Sequence, residues 1–121
     1  MGVPEIPVTP SESNPLVRCV RLSGRLDTLT VGSIGPVIFQ TIEESPSGVI
    51  LDLGDVSFVS SAGLRLLVDA FKSAVSSGKK MAMTRLQPEV YKIFKIAGLD
   101  PLLAVFNDET QALNEIWKKE S

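Results

Sequence analysis

The stretch Val49-Ile50-Leu51-Asp52-Leu53-Gly54-Asp55-Val56-Ser57-Phe58-Val59-Ser60-Ser61-Ala62-Gly63-Leu64-Arg65 passes from a strand pattern into a helical one. Val49–Leu53 is apolar apart from Asp52, as in a short buried strand, and Gly54-Asp55 bounds it, with Asp55 read as a loop residue. Beyond it, Leu64, Leu67, Val68, Phe71 and Val75 recur at spacings of three and four, the stripe of one helix face. Arg65, Asp69, Lys72 and Ser73 take the other side. Ser60 and Ser61 stand directly before the stripe, where a hydroxyl caps the free N–H groups of a first turn, and Ser76-Ser77-Gly78 closes it.

Working towards the start of the chain, Val31, Ile34, Ile38 and Ile42 mark a second helix face. Pro36 is tolerated only near a helix start, so this helix is expected to open around Gly32–Ser33, capped by Ser33 or Thr30, and to run to about Glu44. Leu16–Leu22 alternates as a strand, which Ser23-Gly24 is expected to break before Arg25-Leu26-Asp27. Residues 1–15 hold Pro4, Pro7, Pro10 and Pro15 and read as a flexible lead-in with at best a short edge strand around Ile6–Thr9.

Towards the end, Met81–Thr84 reads as a strand and Pro88 suits the first turn of a helix over Glu89–Ala97. The apolar face of that helix is Val90, Ile93, Phe94 and Ala97, and Gly98 stops it. Leu102–Phe106 reads as a strand. Asp108 caps a last helix, Gln111 stands three residues on, and Ala112, Leu113, Ile116 and Trp117 form its inner face. Lys118-Lys119 favour its negative end. Strands alternating with helices predict an α/β fold: one domain over 16–121, its mixed but mostly parallel sheet packed with about four helices.

Composition narrows the function. The chain has 121 residues, 44% hydrophobic and 21% charged, which is one ordinary globular domain. A net charge of −2 argues against nucleic acid as the main partner. The sign is uneven, since residues 1–60 hold three basic against seven acidic side chains and residues 61–121 hold nine against seven. Histidine is absent, which removes histidine triads, histidine bases and the usual zinc sets. The lone Cys19 sits in an apolar alternation, is read as a small core residue, and fits a reducing cytoplasm. No apolar run exceeds the five residues Leu102–Phe106, so no membrane insertion is expected, and Met1-Gly2-Val3-Pro4-Glu5 has no signal-peptide pattern.

Catalysis has no handle either. The serines lack an activating base, Asp52 and Asp55 do not form a convincing acid–base pair, and no phosphate-cradling glycine loop is present. Lys79, Lys80, Arg85, Lys92 and Lys95 read as a solvated basic scatter. The expectation is a binding module with neither metal nor cofactor. A hydroxyl at a helix start tolerates a phosphate, because free N–H groups and the helix dipole favour an anion there. The added charge would still disrupt a partner surface that expects a neutral hydroxyl.

The run Ile50–Leu64 resembles the anti-sigma factor antagonists of the STAS domain family. Leu22-Ser23-Gly24-Arg25-Leu26-Asp27, the Gly78-Lys79-Lys80 turn and Ile96-Ala97-Gly98-Leu99 are similar too, so the resemblance spans roughly residues 16–117. It implies a non-enzymatic bacterial partner switch. In such a switch the unphosphorylated antagonist binds an anti-sigma factor that is also a serine kinase and so releases sigma factor. Phosphorylation ends the complex, and a phosphatase resets it. In the family's Asp-Ser-Ser/Thr-Gly-Leu form the residue after Asp is modified, which is Ser61 here, with Ser60 as the fallback. This chain has Ser60 for the Asp and Ala62 for the second hydroxyl. The resemblance implies a partner surface of Asp27, Thr28, Ser60, Ser61, Gly63, Leu64 and Arg65. A constitutive STAS scaffold or transporter-associated subunit without a phosphorylation cycle is the alternative, and a small-ligand or nucleotide-binding domain is a third reading.

Overall fold

A computed structural model describes residues 6–100 and 102–117. Along the chain come β1 (Val8–Pro10), β2 (Val17–Leu26), α1 (Val31–Glu44), β3 (Gly48–Val59) and α2 (Ser61–Ser76). They are followed by β4 (Lys80–Thr84), α3 (Pro88–Ile96), β5 (Val105–Phe106) and α4 (Glu109–Ile116). The sheet order is β1-β2-β3-β4-β5, with β1 antiparallel to β2 and every other pair parallel. This is the expected α/β architecture, a mixed sheet with four helices.

Because β2, β3, β4 and β5 are sequential neighbours, right-handed crossovers carry α1, α2 and α3 over the same face. The main core lies there: Val49, Leu51 and Leu53 of β3 meet Ile34, Ile38 and Ile42 of α1, Leu67 and Ala70 of α2, and Phe94 of α3. The alternate residue Ile50 points to the opposite face, where it packs with Val17, Ala82, Ala112 and Leu113 under α4. Ile116 and Trp117 pack partly buried against that second cluster. Lys118-Lys119 lie outside the described residues.

Several boundaries differ from the sequence expectation, each for a tertiary reason. Ser23-Gly24 does not end β2; the strand runs on to Leu26, with register irregularities on either side of Ser23-Gly24 and Gly24 at φ +80. Its extended partner β3 therefore passes through Gly54, and Asp55 is a strand residue paired with Ser23 rather than a loop residue. Helix α1 starts at Val31, ahead of the expected Gly32–Ser33, and holds Pro36 within it. Burial of Ile34, Ile38 and Ile42, each worth about 1.5–3 kcal/mol, outweighs the roughly 3 kcal/mol a proline costs a helix.

On α2 the buried side is Gly63, Leu66, Leu67, Ala70 and Ala74, rotated from the predicted stripe, and Val75 is 58% exposed. The small residues let this helix lie close to the sheet. Ala97 is the exposed C-cap of α3 rather than part of its buried face. Of the strand expected over Leu102–Phe106 only Val105–Phe106 pairs, since the Leu103 N–H turns back to the Leu99 carbonyl at 2.8 Å. Cys19 is half-buried at the edge of the α4 side, not in the core.

The proline-rich lead-in contributes β1, and the Arg21 N–H donates to the Pro7 carbonyl at 3.0 Å. Ser11 is buried, and its hydroxyl donates to Glu109 Oε2 at 2.6 Å, tying the lead-in to α4. Asp108 caps α4 through the Gln111 N–H at 2.8 Å, and Gln111 Oε1 accepts from the Asn107 N–H at 2.7 Å. The capping pair is reciprocal, displaced by one residue.

Candidate functional site

The carboxyl ends of β2 and β3 lie side by side, Leu26 opposite Val59, so the chain leaves both strands at one rim. From β2 it enters the turn Asp27–Thr30, and from β3 it enters α2. The Ser60 N–H donates to the Leu26 carbonyl at 2.9 Å and stitches the two exits together. Gly63 then passes directly over Leu26: a Cβ there would stand 2.4 Å from the Leu26 carbonyl oxygen and 2.9 Å from Val59 Cγ1. Glycine at 63 is what allows the first turn of α2 to rest on the end of β2.

Ser60 and Ser61 divide the work at the helix start. Ser60 is the N-cap, with extended backbone, and its Oγ accepts from the Gly63 N–H at 3.3 Å while its carbonyl accepts from the Leu64 N–H at 2.8 Å. Ser61 is the first helical residue and is exposed. Its N–H and that of Ala62 precede the first helical hydrogen bond and face the rim with the positive end of the dipole. Leu64 is partly buried against the core, and Arg65 is exposed one turn above Ser61. Ser57, an exposed strand hydroxyl, donates only a long 3.4 Å bond to the Gly24 carbonyl.

The neighbouring turn is held tightly. Asp27 Oδ1 accepts from the Leu29 N–H at 3.0 Å, and Oδ2 accepts from Arg25 Nε at 3.1 Å. The Asp27 N–H donates to Thr30 Oγ1 at 3.0 Å, and that hydroxyl donates to the Arg25 carbonyl at 2.7 Å. Occupied in this way, Thr30 gives α1 no side-chain cap although it holds the cap position. The Arg25 hydrogen bond, helped by the Leu29 N–H, holds the Asp27 carboxyl below its ordinary range. The Arg25 guanidinium also lies 4.4 Å from the centre of the Phe58 ring on β3. Thr28 is exposed at the turn's apex, and Leu29 beside it is 91% exposed.

All seven residues singled out in the sequence, Asp27, Thr28, Ser60, Ser61, Gly63, Leu64 and Arg65, lie at this one rim, but Gly63 is buried against Leu26 and Leu64 packs on the core, so those two shape the rim instead of presenting a side chain on it. Leu29 was missed: its neighbours in sequence gave no sign that an apolar side chain would be held in solvent. A groove of about 740 Å³ also opens between α1 and α2, starting at Ser61 and lined by Val31, Pro36, Phe39 and Leu66.

On the α4 side, Asp52 lies between Arg21 at 3.8 Å and Arg85 at 3.5 Å, and its Oδ1 accepts from the Gly54 N–H at 2.8 Å. Those contacts give it a structural partner set away from the rim. Among the described residues no group of three potential metal ligands occurs, and no helix is long and apolar enough to cross a membrane.

A family model described as the STAS domain matches residues 9–112. The chain is 28% identical over 101 residues to the anti-sigma F factor antagonist of Paenibacillus polymyxa, covering 83% of this chain and 86% of that one. An anti-sigma factor antagonist from Mycobacterium paratuberculosis has the same fold, with a TM-score of 0.82 at 21% identity over 93% of each chain. The Bacillus protein SpoIIAA in its phosphorylated form aligns with a TM-score of 0.65 at 20% identity, over 93% of this chain and 99% of that one.

Proposed function

The chain belongs to the STAS domain family, and from that premise we propose that it is an anti-sigma factor antagonist working in the bacterial cytoplasm. In its unphosphorylated form it binds an anti-sigma factor that is also a serine kinase, and sigma factor is released. The named role of the Paenibacillus relative supports this reading. The contact surface is the rim of Asp27, Thr28, Ser60, Ser61 and Arg65, joined by Leu29, with buried Gly63 and partly buried Leu64 shaping it from beneath.

One observation carries the switch: Ser60 uses its hydroxyl to cap α2, which leaves Ser61 exposed as the free hydroxyl at the helix start. The Ser61 oxygen attacks the γ-phosphorus of ATP held by the kinase, and the bond from that phosphorus to the β-bridging oxygen breaks. ADP leaves with the electron pair, and the hydroxyl proton passes to a base on the kinase. The product carries about −1.5 to −2 charges where the partner met a neutral group, while the core behind it is untouched. Hydrolysis by a phosphatase restores the binding form. A phosphorylated state is recorded for the similarly folded SpoIIAA.

The test is to mix the protein with its kinase-type anti-sigma factor and ATP, then map the phosphosite and measure binding. Phosphate on Ser61, full binding by Ser61→Ala and lost binding by Ser61→Asp are expected. Equal binding by both variants, with no phosphate on Ser61 or Ser60, would replace the switch with a constitutive scaffold or transporter-associated subunit.

A further inference from the structure

Two ridges face each other across the groove between α1 and α2. Val31, Gly35 and Phe39 stand on one wall and Ser61, Arg65 and Asp69 on the other, each set at a spacing of four. Residues so spaced lie above one another on a helix face, with Cβ atoms about 5–6 Å apart. Every Cα–Cβ bond of a helix leans towards its N-terminus, so the Arg65 side chain sets out towards the turn that carries Ser61. Among the described residues no carboxylate stands within ion-pair distance of Arg65, whereas Arg21, Arg25 and Arg85 each pair with an aspartate. Arg65 is an exposed cation, one turn from the modified hydroxyl, with its fork of donors uncommitted.

We infer that a phosphoryl group on Ser61 is gripped in cis by Arg65, so that phosphorylation withdraws Arg65 from the partner as well as adding charge. The inference rests on the switch proposed above and adds its second arm. Arg65 matches phosphate oxygens in a planar fork that a lysine cannot reproduce. The N–H groups of Ser61 and Ala62 at the rim already favour an anion. The closed form then presents an occupied groove mouth of net negative charge, about −0.5 to −1 for the pair, in place of a neutral hydroxyl and a free guanidinium.

The experiment uses the full chain with phosphoserine encoded at position 61 during translation, so that no kinase is needed. Titration of the phosphate by phosphorus NMR at low salt should give a second ionisation lower than in the Arg65→Ala variant by about 0.2–0.35 pH units, the size of an exposed one-turn ion pair. The gap should close at 1 M salt, and Arg65→Lys should keep only part of it. The Arg65 side-chain N–H resonance should move on phosphorylation. Identical titrations in the parent and Arg65→Ala would overturn the clasp. The switch itself is read separately: a phosphorylated protein that still binds the anti-sigma factor defeats it, whatever the titration shows.

Discussion

The α-carbon of Gly63 and the carbonyl of Leu26 are packed so closely that a methyl group at 63 would stand 2.4 Å from the oxygen. Both are parts of rigid backbone, one on α2 and one at the end of β2, so neither gives way as a flexible side chain would. This contact sets the position of Ser61 against the Asp27 turn. The two strand exits act as one surface because α2 begins in contact with β2.

A Gly63→Ala variant follows from that contact. Alanine favours a helix over glycine by about 1 kcal/mol, but the clash requires α2 to lift from the strand end. Overpacking of this kind costs about 1–3 kcal/mol net, so a lower denaturant midpoint is expected with an unchanged slope. Partner binding should fall further than stability, because the lifted helix misaligns Ser61 with Asp27. A variant as stable as the parent would show that the contact is not rigid.

Asp27 has a pH signature. Its carboxyl is held below the ordinary range by Arg25 first and by the Leu29 N–H next, so the folded form is the stronger acid. The turn is therefore fully supported above the unfolded carboxylate value and loses that support as pH falls through the lower folded one. The protection of the Leu29 amide, its exchange rate compared with that of an unstructured amide at the same pH, should fall on acidification, and in Asp27→Asn it should be low and flat across the same range. Because the group is at the surface, the effect is local, and the global melting temperature should scarcely change.

Lys79 and Lys80 are more than a solvated scatter. Lys79 Nζ donates to the Ile42 carbonyl at 2.8 Å and the Glu43 carbonyl at 2.7 Å, closing the negative end of α1, which has no basic residue of its own in its last turn. Lys80 Nζ does the same for α4 through the Ile116 carbonyl at 3.0 Å. Lys79→Met should cost about 0.5–1.5 kcal/mol in urea unfolding, the range of an ordinary hydrogen bond, since this lysine is only partly buried at the helix end. No change in the midpoint would mean that solvent caps α1 equally well.

Cys19 is expected to be inert. Burial first, with the Glu109 carboxylate adding to it, pushes its thiol from 9.0 to about 12. The thiolate is the reactive form, so at pH 8 the native thiol should react with a disulfide reagent about a thousandfold more slowly than the unfolded one. The unfolded thiol ionises from about pH 9 while the native one stays neutral, so this group erodes stability as pH rises from there towards 12. Fast native labelling would contradict the burial.

Much of this was legible because the deciding signals are local. Ser60, Ser61 and Gly63 announce a capped helix on a strand end within four residues, and the three-and-four spacing of Val31, Ile34, Ile38 and Ile42 announces α1 despite Pro36. What failed was set by distant partners. Ser23-Gly24 reads as a break until β3 is laid beside it, and Asp55 reads as a loop until it pairs with Ser23. The inner face of α2 shifted because Ala70 and Ala74 permit a closeness to the sheet that hydrophobicity alone does not reveal. The lysine caps join residues 36 and 37 positions apart, beyond any local pattern.

Leu29 shows the same limit at the site itself, and it gives the sharpest test of the rim. A leucine 91% in solvent gains nothing for the fold, yet four hydrogen bonds among Arg25, Asp27, Leu29 and Thr30 hold its backbone still. A preorganised apolar side chain at the same rim as Ser61 loses little entropy on docking, which is the property of an interface anchor. Leu29→Ala should leave the unfolding midpoint within about 0.5 kcal/mol of the parent, because nothing buried is removed. Affinity for the anti-sigma factor should drop about 10- to 100-fold, mostly through faster dissociation, as expected for loss of one anchor. Leu29→Glu should weaken binding further by adding a charge at that rim. Surface plasmon resonance of the three proteins decides the matter: unchanged dissociation in both variants would remove the Asp27–Thr30 turn from the contact surface.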